Sequence, residues 1–325
     1  MKILALQLKR IGDLVLTTPA LRAIKTAWPE AHIALGVMDG TAALLPAIPS
    51  AQAGIVFGPG RGLAPWQQVF TGGWDLCFDF TGNDRSGLAA ALSRAGTRVA
   101  FDSVRRNKLR ALAFNAWSPS PVREVHTAQH YLDLVAPVAP VHRVPPTDST
   151  PRLFLPAAGS AEAPYVLLHP GTARPEKYWL AARWAEVATH LRDSHGLSAV
   201  VTSGPDAFER AHVAEIEAAA VGVRIVGPPD LLALATLVSR AALVVSCDTA
   251  VVHLAAAFRV PQIALFGPTN PFHWRPMHER AVVLSAAQPD APLTEFTPRM
   301  RGAPMERIST AAVIRAIDSL LASPR

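Results

Sequence analysis

The sequence predicts an α/β protein of two domains, each a parallel β-sheet covered by helices on both faces. Short, continuously apolar runs alternate with helix-like segments along most of the 325 residues, as in βαβ units. Half of the residues are hydrophobic and only 17% are charged, which is enough to build large buried cores. A proline-rich stretch at 137–164 interrupts the alternation, which then restarts.

In the first half, the predicted strands are apolar throughout, as expected for strands covered on both faces. They lie at 2–8, 32–38, 54–57, 75–80 and 98–101. Predicted helices lie at 14–27, 85–95 and 128–136. Because prolines resist helix and form stiff connections, the proline-rich stretch itself is expected to contain the boundary between a first domain, 1–150, and a second, 151–325.

In the second half, the same patterning predicts strands at 165–169, 198–202, 223–226, 242–246, 262–266 and 281–284. Predicted helices lie at 180–195, 207–220 and 310–321. The last of them is free to pack back on the first domain. The two halves therefore resemble two Rossmann-like domains, whose ligands bind beyond the carboxyl ends of the strands.

The net charge of +6 favours anionic partners such as nucleotides, phosphorylated lipids or an acidic membrane surface. No nucleic-acid-binding module is recognisable, so nucleic acid is not expected as a partner. The two cysteines, Cys77 and Cys247, form no metal-type pair, which favours a reducing, cytoplasmic location and no metal site. Charged residues interrupt the most apolar stretch, 241–267, so no transmembrane helix is expected.

Four strand-to-helix turns are candidate ligand sites. In the Arg-Ile-Gly-Asp turn at 10–13, Gly12 permits a tight turn. Asp13 is either an N-cap, which spacing alone favours, or a general base. In the turn at 169–172, Thr172 offers a hydroxyl, and Lys177 brings a charge suited to a diphosphate.

The turn at 203–206 is an ordinary one, although Asp206 or Glu209 could accept from ribose hydroxyls. The turn at 246–250 begins a helix whose N–H groups suit phosphate. Asp248 and Thr249 can cap this helix, and Asp248, which phosphate would repel, could instead accept from a sugar hydroxyl. His253 follows one turn later, where a packed core histidine is the usual alternative.

Several of these blocks occur together, in an order that resembles glycosyltransferase family 9, the lipopolysaccharide heptosyltransferases. The blocks lie at 10–13 with 17–19, 169–171 with 174 and 177–179, 246–257, and 265–271 with Pro261. The resemblance implies a GT-B architecture, two Rossmann-like domains with the active site between them. It implies inverting, metal-independent transfer from ADP-heptose to a lipopolysaccharide core, with no cofactor.

Carried over by position, the resemblance makes Asp13 the general base. It places Thr172 and Lys177 on the donor phosphates, where Lys177 is expected to act as the second catalytic residue, and it puts Asp248, Thr249 and His253 in the donor motif. From the residues themselves we add Asp206 and Ala250 to the expected donor site, and Gly12, Arg105 and Arg106 to the expected acceptor site. Arg105 and Arg106 are alternatively a solvated basic helix start, or a peripheral contact with the inner face of the inner membrane.

Two departures from the family bear on the donor: Ala250 stands where Gly is usual, and 285–307 lacks a cysteine cluster. Another nucleotide sugar, or a sugar-nucleotide epimerase, is therefore the alternative function. A Rossmann oxidoreductase would need a Gly-x-Gly-x-x-Gly turn after the first strand, and only Gly12 is present there. A non-catalytic nucleotide- or glycan-binding module is the remaining alternative.

Overall fold

The computed structural model describes residues 1–139, 148–155, 163–227 and 230–322. The chain divides into two compact units, Met1–Leu155 and Pro156–Arg325. Much of the predicted proline-rich connection at 137–164 lies outside the described residues.

The first unit contains a parallel sheet of six strands within the described residues. The strands are β1 (Lys2–Gln7), β2 (His32–Met38), β3 (Ala53–Phe57), β4 (Leu76–Asp79), β5 (Thr97–Phe101) and β6 (Ala116–Ser118). The helices are α1 (Ile11–Ala27), α2 (Ala64–Thr71), α3 (Asp84–Ser93), α4 (Lys108–Ala111) and α5 (Thr127–Asp133). Two 3₁₀ segments, Asp39–Ala47 and Asp102–Arg106, follow β2 and β5.

The second unit repeats this plan, again with six parallel strands in its described part. They are β7 (Tyr165–His169), β8 (Ser198–Thr202), β9 (Arg224–Val226), β10 (Leu243–Cys247), β11 (Gln262–Phe266) and β12 (Ala281–Ser285). The helices are α6 (Ala181–His195), α7 (Ala207–Ala219), α8 (Leu231–Arg240), α9 (Ala250–Ala257) and α10 (Thr310–Ala322). Short 3₁₀ turns occur at Pro175–Lys177 and Met305–Arg307.

Both sheets have the same strand order. The first runs β3-β2-β1-β4-β5-β6 and the second β9-β8-β7-β10-β11-β12. In each, the first and fourth strands are neighbours, and the connections leave them in opposite directions across the sheet. This switch point opens a crevice at the carboxyl ends of the two strands, where ligands of such sheets bind.

Burial explains why the strands were readable as apolar runs. All five residues of β7, β10 and β11 are buried. Trp179 and Trp184, both fully buried, form an edge-to-face pair in the core of the second unit. Helix α10 completes this core with Val313 and Ile317, both fully buried.

The start of α1 differs from the sequence prediction. The helix begins at Ile11 rather than at 14, and its N-cap is Arg10, whose side chain makes no capping bond. Gly12 and Asp13 therefore lie inside the first turn, and the interpretations of Gly12 as a tight turn and Asp13 as an N-cap are wrong. Apolar patterning also does not predict β6 or α4, which have three and four residues and are too short to show a period.

Among the described residues, no helix is both long enough and apolar enough to cross a membrane. Both cysteines are free and buried.

Candidate functional site

The candidate donor site lies at the switch point of the second sheet. Strands β7 and β10 pair in parallel, with His169 opposite Ser246. The turn that follows β7 therefore lies beside the turn that follows β10. Two segments about 75 residues apart, each singled out by sequence, meet at one edge of the sheet.

An ion pair joins these two turns. Lys177 Nζ donates to Asp248 Oδ2 at 2.5 Å. The pair is largely shielded from water, because the two side chains are only 13% and 9% exposed. The interpretation of Asp248 as a helix cap is wrong, since its carboxylate is engaged by Lys177 and Thr249 caps the helix instead. Asp248 fixes the cation beside the β10 turn, so the loop that carries Lys177 is anchored before any ligand arrives.

Thr249 begins helix α9. Its Oγ1 accepts from the Val251 N–H at 3.3 Å and lies 3.3 Å from Ser246 Oγ. Ala250 is the first residue of the helix, and His253 lies one turn in, 4% exposed. The N-terminus of α9, the positive end of its helix dipole, thus lies at the carboxyl edge of the sheet beside Lys177, which is an arrangement suited to an anion.

A carboxylate fills the space beside two glycines of the crevice. A Cβ on Gly171 would lie 2.8 Å from Glu209 Oε2, and one on Gly204 would overlap the same oxygen. The Gly204 N–H donates to that oxygen. The missing side chain of Gly171 therefore makes room for the Glu209 carboxylate. Burial raises the pKa of Glu209.

Thr172 and Asp206 occupy the neighbouring turns. Thr172 is 6% exposed, and its Oγ1 lies 3.4 Å from the Arg174 N–H. Asp206 caps helix α7, its Oδ1 accepting from the Phe208 N–H at 2.8 Å. One oxygen of Asp206 thus has a structural role, while Glu209 projects between the turns after β7 and β8.

The loop that carries Lys177 is also anchored to the core. Trp179 Nε1 donates to the carbonyl of Ile308 at 2.8 Å, just before α10 begins. His169, at the end of β7, is buried and its Nδ1 lies 2.9 Å from Thr202 Oγ1. Burial lowers the pKa of His169 to about 4, so this imidazole is neutral at pH 7.

The block at 265–271 has a packing role. The Ala303 N–H donates to the Gly267 carbonyl at 3.0 Å, and Asn270 Nδ2 donates to the Thr297 carbonyl at 3.0 Å. A Cβ on Gly302 would overlap the backbone of Pro268. The loop after β11, which carries this block, is therefore in close backbone contact with the segment 297–303 that follows β12.

In the first unit, Asp13 lies in the first turn of α1, which follows the carboxyl end of β1. Its Oδ1 accepts a hydrogen bond from the Tyr131 hydroxyl at 2.5 Å, and Lys9 Nζ lies 3.5 Å from that hydroxyl. Tyr131 is 1% exposed and lies on α5. Burial, together with the Asp13 charge, raises the pKa of Tyr131 well above its ordinary value. The Tyr131 hydroxyl therefore keeps its proton near neutral pH and donates a hydrogen bond to Asp13.

Sequence reasoning missed Tyr131 and Lys9. Tyr131 falls on a predicted helix, but its partner lies 118 positions away, and no local pattern links α1 with α5. The only signal was Lys9, a cation directly after an apolar strand.

A buried carboxylate organises the other side of this switch point. Asp79, at the end of β4, accepts from the N–H groups of Thr81 and Gly82 at 2.8 and 3.1 Å and from Ser86 Oγ at 2.8 Å. Thr81 Oγ1 in turn accepts from the Leu8 N–H at 2.7 Å. These bonds tie the turns after β1 and β4 together, so the role of Asp79 is to shape the crevice.

Gly12 adjoins Asp13 in the first turn of α1, whereas the other two predicted acceptor residues, Arg105 and Arg106, lie more than 90 positions further along the chain. Arg105 pairs with Asp102 at 3.2 Å and stacks over Trp117 at 4.4 Å from the ring centroid. Arg106 ends the 3₁₀ segment Asp102–Arg106. Two leucines follow, Leu109 and Leu112, which are 80% and 78% exposed. Cations and exposed apolar side chains thus share one surface segment, 105–112.

Comparisons with known proteins match this chain to one family over most of its length. A family model described as glycosyltransferase family 9 (heptosyltransferase) matches residues 63–302. Lipopolysaccharide heptosyltransferase 3 from Escherichia coli is 27% identical over 340 residues, covering 96% of this chain and 97% of the relative. Lipopolysaccharide heptosyltransferase 1 from Pseudomonas aeruginosa is 33% identical over 135 residues, covering 42% of this chain and 38% of the relative.

Solved structures share the fold. The ADP-heptose lps heptosyltransferase II of E. coli has a TM-score of 0.79 at 20% identity, covering 99% of this chain and 98% of that one. The E. coli heptosyltransferase WaaC with ADP has a TM-score of 0.81 at 21% identity, covering 98% of this chain and 100% of that one. The predicted GT-B fold class is confirmed by these neighbours.

Proposed function

The chain belongs to glycosyltransferase family 9, and from this premise we propose that it transfers heptose from ADP-heptose to a lipopolysaccharide core, with inversion and without a catalytic metal ion. The predicted glycosyltransferase activity is confirmed at the level of the family. One observation supports binding of a diphosphate-linked donor. The Lys177–Asp248 pair lies beside the N-terminus of α9 at the switch point of the second sheet, an arrangement that suits a diphosphate.

The donor diphosphate would bind to the N-terminus of α9 and to Lys177, with Thr172 nearby. Asp248 would otherwise repel phosphate, but its charge is already balanced by Lys177 at 2.5 Å. Lys177 has three N–H donors, of which one binds Asp248, so the other two would be available to phosphate oxygens. A cation and a helix dipole at the leaving group can stabilise the departing ADP without a metal.

Glu209, Asp206 and His253 would contribute to recognition of the rest of the donor. Glu209 projects between the two glycine turns, and a ribose hydroxyl could donate to its second oxygen. Asp206 has one oxygen left besides its capping bond. Ala250, the first residue of α9, sets how closely backbone approaches the phosphate, so its methyl group narrows the choice of donor.

Asp13 would act as the general base. The acceptor hydroxyl gives its proton to the Asp13 carboxylate while its oxygen forms a bond to the anomeric carbon. The bond from that carbon to the diphosphate oxygen breaks, ADP leaves with the electron pair, and the configuration inverts. The Tyr131 hydroxyl, at 2.5 Å, holds the carboxylate in one orientation and leaves its second oxygen for the acceptor.

Arg105 and Arg106 would meet the anionic groups of the acceptor, and segment 105–112 would rest on the inner face of the inner membrane. The support is the combination of cations with the exposed Leu109 and Leu112, because such surfaces bind anionic lipid interfaces. Charge reversal of Arg105 and Arg106 should raise the acceptor KM and weaken binding to phosphatidylglycerol vesicles. If neither changes, this part of the proposal is wrong.

The deciding experiment measures ADP release from ADP-heptose with and without a heptose-deficient lipopolysaccharide acceptor. Release that requires the acceptor supports a transferase and excludes an epimerase. A thermal-shift series with ADP, UDP and GDP tests the base of the donor, since ligand that binds the folded state raises Tm in proportion to RT ln(1 + [L]/Kd). A preference for UDP or GDP over ADP would contradict the ADP-heptose donor.

Asp13→Ala tests the mechanism. We expect turnover to fall by about 10²–10⁴, the usual contribution of a general base, while ADP affinity stays unchanged. Asp39→Ala is the matched control, because Asp39 is a surface carboxylate of the same unit whose side chain is 38% exposed and pairs with Arg61. Near-normal turnover of Asp13→Ala would remove Asp13 from the chemistry.

A further inference from the structure

Helices α6 and α10 bring together two histidines and an aspartate that the proposed reaction does not use. His190 Nε2 and His195 Nε2 each lie 2.7 Å from Asp318 Oδ1. Each of the three residues offers one ligand atom, and these atoms all lie within 4.8 Å of one another. The side chains are 20%, 23% and 46% exposed, so the cluster is part-buried but open to ions from solvent.

The cluster is remote from the donor turns along the fold. His195 is the last residue of α6, which starts after the carboxyl end of β7 and returns to the start of β8. It therefore lies toward the amino edge of the second sheet, opposite the edge that carries Lys177. The cluster joins α6 to α10 and has no part in the phosphate site.

The donor set identifies the class of ion. Two imidazole nitrogens and one carboxylate oxygen are ligands that Zn²⁺ and similar transition-metal dications take, whereas Mg²⁺ and Ca²⁺ prefer oxygen ligands. Zinc bonds of about 2.0–2.2 Å in a tetrahedron separate neighbouring ligand atoms by ~3.4 Å. Since each nitrogen now lies 2.7 Å from the oxygen, both of these distances would lengthen by ~0.7 Å to admit the ion, and the two nitrogens, within 4.8 Å of each other, would adjust to the same tetrahedron.

A neighbouring hydroxyl supports one tautomer of a ligand. Ser194 Oγ lies 3.2 Å from His190 Nδ1. When Nδ1 carries the proton, its N–H donates a hydrogen bond to this hydroxyl and Nε2 keeps its lone pair for the metal ion. Metal-binding histidines are commonly oriented by such a hydrogen bond from the other ring nitrogen. The exposed side of the cluster leaves room for a water molecule as the fourth ligand.

We propose that His190, His195 and Asp318 form a Zn²⁺-class site that fastens α10 to α6. Binding replaces the two Nε2–H protons, which go to solvent or to Nδ1, and no redox step is involved. Because α10 supplies Val313 and Ile317 to the core, an ion that holds this helix stabilises the second unit. The proposal is independent of the donor and acceptor assigned above.

The test uses the untagged full chain, freed of metal with a chelator and titrated with Zn²⁺, with Co²⁺ as a spectroscopic probe. We expect one equivalent to bind, Tm to rise with Zn²⁺ concentration, and Co²⁺ to give the visible absorption of a nitrogen- and oxygen-ligated ion. Mg²⁺ at the same concentration should neither shift Tm nor displace Co²⁺.

Removing a ligand should weaken the site specifically. His195→Gln and Asp318→Asn should each lower Zn²⁺ affinity at least ~10-fold, and Ser194→Ala should cause a smaller loss. His32→Ala is the control, because His32 is an exposed histidine at the start of β2 in the other unit. The two ligand variants are separate, so failure of one to fold leaves the other as the test. Absence of a Zn²⁺-dependent shift in the parent chain, or equal affinity in a folded ligand variant, would overturn the proposal.

Discussion

Replacing Lys177 by Met removes the cation that balances Asp248, a carboxylate whose side chain is only 9% exposed. At 2.5 Å and an effective dielectric of about 20, the attraction is ~6–7 kcal/mol before desolvation is subtracted. Most of that gain offsets the cost of taking two ions from water, so the intact pair contributes little net stability. Breaking the pair is different, because it leaves one buried charge alone, at a cost of ~3 kcal/mol or more.

For a domain of this size, each 1 kcal/mol lost from the free energy of unfolding lowers Tm by about 2–4 °C, so Lys177→Met should lower the Tm of the second unit by ~6–12 °C. Lys177→Met combined with Asp248→Asn removes both charges and should recover most of the loss. Arg61→Met, in an exposed pair with Asp39, should cost at most ~1 kcal/mol. Scanning calorimetry of the full chain measures all of these variants. A Lys177→Met shift under ~2 °C, or a double variant as unstable as the sum of the singles, would refute the reasoning.

Three further predictions concern other parts of the two units. Tyr131→Phe removes the hydroxyl that orients Asp13, and acceptor kcat/KM should fall ~10-fold with ADP affinity intact; unchanged kinetics would show that the bond is only structural. The pKa of His169 is lowered to about 4 in the folded chain, so between pH 4 and 6.5 this side chain binds a proton only when the chain is unfolded. The free energy of unfolding therefore keeps its full value above pH 6.5 and falls by ~3 kcal/mol as the pH is lowered toward 4. His169→Gln should therefore flatten the acid side of a Tm-against-pH profile. Gly302→Ala should lower the free energy of unfolding by ~1–3 kcal/mol, because the added Cβ overlaps the backbone of Pro268. Gly40→Ala has open space around its Cβ and should keep the Tm of the parent chain. Equal Tm values for the two variants would contradict the contact between Gly302 and Pro268.

The sheets were predictable because their strands are buried on both faces and so read as unbroken apolar runs. Strand β7 at Tyr165–His169 and strand β11 at Gln262–Phe266 match the predicted bounds. The start of α1 was not predictable, because Gly12 is usually a sign of a turn and here lies inside the helix. Local residue preference therefore favoured a helix three residues shorter than the actual one.

The candidate site was predictable as separate turns but not as a set of contacts. Sequence reasoning selected Lys177 and Asp248, yet their pairing depends on β7 lying next to β10, across 71 positions of chain. The contribution of Tyr131 to the site could not be predicted for the same reason, since its hydrogen bond to Asp13 depends on how α5 packs on α1. Strand order and helix packing decide which distant residues meet, and neither is encoded in a local period.

The hydrogen bond from Trp179 to the Ile308 carbonyl has a consequence for local unfolding. Because this indole lies two residues after Lys177, the loop that carries Lys177 is tied to the segment just before α10. Local unfolding of α10 would therefore free Trp179 and loosen the loop around Lys177, without requiring the sheet to open. The order of the loop that carries Lys177 is therefore coupled to the docking of a helix that begins more than 120 residues further along the chain.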